Sequence, residues 1–554
     1  MAALGVSSCV RAADGYSKAM FEDLEAQLRA ASVAILSSVA RKKVVVAGPG
    51  TGKTFLFRQI LERIGEQDRA LVLTFINNLK NDLDKDLGQL ARVFTFHGYC
   101  RHLLHQRPPL RHGLTERFEY FPPLASLVKR DWEVSEGTDA PPFTSLMREL
   151  EQPEITEFYL NRADYYDAVG FDDSVFRVYS RLCEDPEQIA QYEAVLVDEY
   201  QDFNRLEAAF IDLLASRSPA LIAGDDDQAL YSMRSSSPRY IREAHGGGDY
   251  QPFALPFCMR CTEPVVGAVN DIIVRAQGKG FLAGRIPKPY RYYPPKKGSD
   301  SQQYPRIRLV DVSAQSLRVN YFGRYIEQQI QRIAEAEVAE SRNDGFPTVL
   351  IIGPRQYLRQ VRDYLQEHGF PCGLSEDSDP MELDGEDGLR MLREQPGSNL
   401  GWRVIVETDA PAFANDVIRA SLPRDRSIVD LLPSEYRDAM LRRANELPAE
   451  EEPANEVPAE TGPTIRLTSF EGSKGLSAQH VFILGLQEGD MPRNAAQPSD
   501  IDICKFLVAL TRTRKQCHLL YTWRWSGQAK RPSVFLNWIN PVRFDRVRVD
   551  RHYW

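Results

Sequence analysis

The chain has 554 residues, 43% of them hydrophobic, and a formal net charge of −9 at pH 7. That length suggests about three to four domains or subdomains, the apolar content excludes a disordered chain, and the acidic balance excludes a uniformly basic surface but not a basic groove. Eight scattered cysteines and no leader-like opening predict reduced thiols in a cytosol, and no apolar run approaches the ~18 residues of a membrane span.

In chain order, the first pattern predicts one amphipathic helix from about Tyr16 to Val39, leading into basic Arg41-Lys42-Lys43. Gln27 on that helix is a candidate for reading adenine, with an exposed helix residue as the equal alternative. An apolar β-branched run, Val44-Val45-Val46, then ends in Ala47-Gly48-Pro49-Gly50-Thr51-Gly52-Lys53-Thr54. A helical pattern follows, carrying Phe55, Leu56, Ile60, Leu61 and Ile64. Strand, glycine turn and helix form the context of a phosphate-binding loop. Glycines let backbone N–H groups turn inward on a polyanion, and the helix points its positive end at the same place. Lys53 suits the β/γ-phosphates and the Thr54 hydroxyl suits Mg²⁺. Ala47 stands where the usual pattern has its first glycine.

Leu71–Asn78 reads as a second strand with a polar end at Thr74, Phe75 and Asn77, and Val93–Cys100 as a third, carrying Thr95 and His97. Strand ends of a parallel α/β sheet bind ligands, and polar tips beside aromatics suit a single strand of nucleic acid. For His97 a satisfied structural histidine is the competing reading. Residues 101–184, broken by Pro122-Pro123 and Pro141-Pro142, read as an inserted, mostly helical subdomain. Ala194–Val197 is a continuous apolar strand delivering Asp198 and Glu199, the first suited to Mg²⁺ and the second to polarising an attacking water. Ala220–Gly224 runs likewise into Asp225-Asp226-Asp227, with Gln228 placed to sense a γ-phosphate and Tyr231 and Arg234 available to nucleic acid.

Residues 263–358 read as helices followed by the strand Thr348–Ile352. Arg285, Lys288, Arg291, Lys296 and Lys297 interleave with Tyr290, Tyr292 and Tyr293, which fits a DNA-contacting loop or a solvated one equally. Cys258 and Cys261 form a lone C-x-x-C without further ligands at metal spacing, so coincidence is favoured. Between 374 and 462 lie the acidic run Glu376–Asp379, a helical stretch with Leu389, Leu392 and Trp402, and a duplication, Ala444–Glu450 and Ala454–Glu460, read as a solvated linker. Two further strands, Ile465–Thr468 and Val481–Leu484, flank a polar turn whose Lys474 is a candidate for a DNA phosphate.

The segments AGPGTGKT, LTFINN, TFHGYC, VDEYQD, GDDDQALYSMR, LTSFEGSKGLSAQHVFILGLQEGDMP and FLVALTRTR together resemble UvrD/Rep-type superfamily 1 DNA helicases, in family order and across almost the whole chain. The resemblance implies an α/β fold of two RecA-like, parallel-sheet, P-loop motor domains, each with a mostly helical insertion. The expected divisions are 1–100 and 185–262 for the first motor, 101–184 for its insertion, 263–373 and 463–554 for the second motor, and 374–462 for a reduced second insertion. It implies ATP between the motors, Mg²⁺, and 3′-to-5′ movement on single-stranded or tailed duplex DNA, with a nuclease or repair factor as a candidate protein partner and no membrane. By position, Lys53, Thr54 and Asp198 match phosphate and metal ligands, Glu199 the water-activating acid and Gln228 the γ-phosphate sensor. Arg260 and Arg512 match the two arginines that complete the site. Met259, Met233 and Ser477 depart from the family's adenine-stacking aromatic, base-stacking aromatic and ribose-gripping glutamate. Two other readings stay open: a translocase that does not unwind, and a DNA-binding subunit of a repair or phage-defence complex with weak ATPase.

Overall fold

A computed structural model describes residues 18–75, 77–111, 113–230, 236–316, 320–374, 383–448 and 462–554. Two wholly parallel sheets carry the architecture. The first has six strands in the order Arg92–Thr95, Ala70–Thr74, Ala194–Val197, Ala220–Gly224, Lys42–Ala47, Gln251–Leu255. The second has seven: Cys372–Leu374, Ile465–Thr468, Val349–Ile352, Ala478–Ile483, Thr513–Thr522, Ile307–Val312, Phe544–Val549. This is the α/β arrangement expected of two RecA-like domains.

The apolar runs form central strands because both faces are covered. Successive strand residues point to opposite sides. Val45, Ala47, Leu196 and Leu221 enter the core beneath the helix Lys53–Ile64, while Val44, Val46, Val195 and Ile222 enter the opposite one, with Phe96, Phe210 and Leu214. The second sheet repeats the pattern, with Leu350, Ile352 and Val481 on one side and Val349, Ile351 and Phe482 on the other. Since every strand is parallel, the carboxyl ends of Lys42–Ala47, Ala194–Val197 and Ala220–Gly224 meet on one edge, where ligands bind in such sheets.

Two local readings are corrected. The expected strand Val93–Cys100 stops at Thr95, whose hydroxyl accepts from Gly98 N and caps a helix, Phe96–Gln106. The first copy of the proline-glutamate duplication is not a solvated linker throughout. Its Ala444 is buried near the end of the helix Ser434–Glu446; the second copy and the run Glu376–Asp379 lie outside the described residues. The helices at 124–166 and 385–446 share one apolar core, which contains Phe121, Leu127, Tyr159 and Tyr166 together with Leu389, Leu392, Trp402 and Val417.

Charge is buried in the same seam. Asp131 accepts from Arg162 Nε at 2.8 Å, from Arg403 Nε at 3.1 Å and from the Tyr166 hydroxyl at 2.6 Å. Arg162 also donates to the Ser421 carbonyl at 3.0 Å. No helix among the described residues is long and apolar enough to cross a membrane.

Candidate active site

The phosphate-loop residues turn as the glycines permit. Gly50 and Gly52 have φ of 71° and 95°, in the left-handed region that a Cβ disfavours. A Cβ on Gly50 would also sit 2.4 Å from Cβ of Arg260. Ala47 is tolerated because it is still in the strand, with its methyl buried in the core beneath Lys53–Ile64. Thr51 Oγ1 donates to the Gly48 carbonyl at 2.8 Å and closes the loop.

The acids of the third strand face this loop. Lys53 Nζ lies 2.7 Å from Glu199 Oε1 and 3.5 Å from Asp198 Oδ1. Glu199 holds a left-handed backbone at φ 54°, a conformation costing a non-glycine residue about 1–3 kcal/mol. Its Oε2 accepts from Gln201 Nε2 at 2.6 Å. Burial alone would raise the Glu199 carboxyl, but Lys53 and then Lys474 hold it well below the usual range, so it stays ionised. Burial lifts Asp198 above its ordinary value against the pull of Lys53, and the Glu199 charge adds to the rise. Asp198 is therefore the less compensated carboxylate, and with the Thr54 hydroxyl lining the same cavity it fits a divalent cation.

The second sheet supplies the opposite wall. Arg512 Nη2 donates to Gln228 Oε1 at 3.0 Å, while Gln228 Nε2 donates to Asp225 Oδ2 at 2.8 Å. Arg260 Nη1 reaches the Thr511 carbonyl at 3.5 Å. Arg514 Nε donates to Ser477 Oγ at 3.0 Å, and its guanidinium lies 3.7 Å over the Phe346 ring. Among the described residues none of these three arginines has a carboxylate within 4.0 Å. Burial first, and then the charge of Arg260, hold Arg512 and Arg514 down at about 10. Crowded cations without counter-charges are what a polyanion site requires.

These walls enclose a cavity of about 710 Å³, within the range of small-molecule sites. Lys53, Arg58, Arg260, Lys296, Lys474, Arg512 and Arg514 line it against Asp86, Asp198 and Glu199, an excess of four positive charges. Met259 is at its edge and its N–H donates to the Gly50 carbonyl at 2.8 Å. Gln27 does not line the cavity; it is exposed, donating to Asp23 and accepting from Arg291 at 3.3 Å.

The candidates for nucleic acid are placed differently from expectation. Lys474 is buried and points inward, with Nζ on Asp202, 2.9 Å from the Gln228 carbonyl and 3.6 Å from Glu199. It lines the cavity beside Glu199 and is not on the exposed surface. His97 is a core histidine, stacked on Phe171 with ring centroids 3.7 Å apart and 3.8 Å from Glu207. Thr74 is fully buried, Phe75 leans on Phe203, and Thr95 is spent on its helix cap. Asn77 opens a helix, but its side chain, like Tyr231, Met233 and Arg234, lies outside the described residues.

The basic-aromatic stretch is folded inward at Arg285, Lys288 and Tyr290, while Arg291 and Lys296 stay exposed. Lys288 is buried among Asp225, Asp226 and Asp227, Arg285 pairs with Asp227, and the Tyr290 hydroxyl donates to the Pro49 carbonyl at 3.2 Å. Cys258 and Cys261 are buried, and Cys258 Sγ accepts from Cys261 N and the Tyr290 hydroxyl. The sequence assigned Lys288, Tyr290, Arg514 and Gln201 no place at this cavity, although Lys288 and Tyr290 stood in the basic-aromatic stretch. Gln201 stands inside VDEYQD and bridges Glu199 to the Asp225 N–H, so its motif was visible although its task was not.

The sequence model of the UvrD/REP helicase N-terminal domain matches residues 28–152 and 142–246. The chain is 27% identical over 276 residues to "ATP-dependent DNA helicase PcrA" of Staphylococcus aureus strain Mu50, a match covering 42% of this chain and 37% of the relative. It is 26% identical over 307 residues to the protein of the same name from Staphylococcus epidermidis strain ATCC 35984, covering 47% and 41%. The chain thus spans about two-fifths of the length of the curated relatives it matches.

Proposed function

We propose that this UvrD/Rep-like chain is an ATP-dependent DNA motor, hydrolysing ATP to move 3′ to 5′ on single-stranded DNA and to separate strands or displace bound protein. One observation carries the reading: Lys53 and Glu199 beside the first sheet, Lys474 and Arg512 beside the second, and Arg260 on the segment after Gln251–Leu255, whose Cys258 and Cys261 pack in the second core, converge on one cation-rich cavity, with Gln228 hydrogen-bonded to Arg512 across it. The relatives' printed name supports DNA as the substrate.

The residues divide the work. Backbone N–H groups of Gly50–Thr54 and the ammonium of Lys53 bind the phosphates, drawing Lys53 from Glu199. The freed Glu199 carboxylate, kept ionised by Lys474, accepts a proton from the attacking water. Thr54 and Asp198 would hold Mg²⁺, which when bound neutralises phosphate charge. Arg260 and Arg512 stabilise charge on the transferred group. Because Arg512 stands beside the second sheet and Arg260 on the segment that leads from the first sheet to the second core, closure of the two sheets depends on the γ-phosphate, and its loss lets them part.

The test is displacement of a strand from duplexes carrying one single-stranded tail. ATP-dependent release from 3′-tailed and not from 5′-tailed duplex, absent in Lys53→Ala, is expected. Release from 5′ tails alone would overturn the polarity. Stripping of a bound protein toward the 5′ end without strand release would assign a translocase. No ATP-dependent effect on either substrate would overturn the motor.

A further inference from the structure

Three consecutive carboxylates, Asp225, Asp226 and Asp227, are buried with ligand-capable oxygens all within 4.8 Å of one another. Such a triplet needs a compensating cation, and the chain supplies one. Lys288 Nζ lies 2.9 Å from Asp225, 2.6 Å from Asp226 and 2.8 Å from Asp227, with its side chain only 3% exposed. Arg242 adds a bond to Asp226 at 3.1 Å, and Arg285 one to Asp227 at 2.8 Å. Of the three cations only Lys288 touches Asp225, and Asp225 is the acceptor that orients the Gln228 amide at 2.8 Å. Turned that way, Gln228 presents Oε1 to Arg512 at 3.0 Å. The segment carrying Lys288 is itself tied to both cores: Ile286 packs in the first-sheet core, Leu282 and Tyr290 in the second.

We propose that Lys288 is a positioning residue for the hydrolytic site: it gathers the aspartate triplet, fixes Asp225, and through it holds the Gln228 amide in register with Arg512. The inference rests on the ATPase reading of the same cavity. Without Lys288 the three carboxylates repel, Asp225 swings, and the amide loses the acceptor that chooses its rotamer. Nucleotide binding is spared, because Lys53 and the glycine loop do not touch Lys288.

The experiment is steady-state ATP hydrolysis by the full chain with single-stranded DNA, for wild type, Lys288→Met, Lys288→Arg and Lys288→Met/Asp226→Asn, each normalised to its folded fraction. Lys288→Met is expected to lower kcat about 10²-fold with KM for ATP within about threefold. Lys288→Arg retains most of the rate. Removing one carboxylate in the double variant restores kcat to within about tenfold of wild type, a rescue that a loss of packing does not give. An active wild type with unchanged kcat in Lys288→Met, or with no rescue by Asp226→Asn, would overturn the assignment. An inactive wild type would overturn the ATPase reading and this inference with it.

Discussion

Arg512→Ala is expected to lower ATP turnover by about 10³–10⁵-fold, the range found when an arginine facing a transferred phosphoryl group is removed. Arg512 is held by the Val508 carbonyl at Nε and the Leu476 carbonyl at Nη1, leaving Nη2 on Gln228. It is buried, has no carboxylate partner among the described residues and stands near a second guanidinium, Arg260. Its charge therefore lacks a paired carboxylate within the cavity, and on the proposed reading it is spent against the charge that develops on the transferred group. The loss should fall on kcat far more than on KM for ATP, since the glycine loop and Lys53 remain. Arg512→Lys should recover little, because an ammonium cannot reproduce the fork reaching Gln228, Val508 and Leu476 together. A rate within tenfold of wild type in a folded Arg512→Ala protein would contradict this role.

Asp131→Ala is expected to cost about 3–5 kcal/mol, the usual price of leaving a buried charge unpaired. Here the buried Arg162 loses its carboxylate partner, the buried Arg403 loses one of two and keeps Glu407 at 2.7 Å, and the Tyr166 hydroxyl loses its acceptor. One Nη of Arg403 already lacks a partner in this seam. The damage should be local first, because the seam joins helices 124–166 to helices 385–446 while the two sheets have cores of their own. Hydrogen exchange should show protection lost in 385–446 before the sheets, and calorimetry a transition separating from the main one. Unchanged protection there would contradict the account.

What could be read in the sequence was whatever is contiguous in it. Lys53, Asp198, Glu199 and Gln228 each follow within a few residues the carboxyl end of a strand of one parallel sheet, so strand, turn and chemistry stood side by side and their meeting point followed from the fold. Arg260 and Arg512 needed the resemblance, since nothing local says that one cavity joins them. Lys288 was illegible for a different reason: a lysine among tyrosines looks solvated until carboxylates about sixty residues earlier are folded onto it. The burial of His97 and Lys474 was hidden alike, because Phe171, Glu207, Asp202 and Glu199 reach them across the fold. The union of the two helical insertions was equally hidden, resting on Asp131 and Arg403, 272 positions apart.

The most direct test of the account is the rate of ATP hydrolysis with and without single-stranded DNA, with Lys53→Ala and Glu199→Gln beside the wild type. The account predicts strong stimulation by the DNA, abolished by either substitution. Hydrolysis that persists in both variants, or none under any condition, would contradict it.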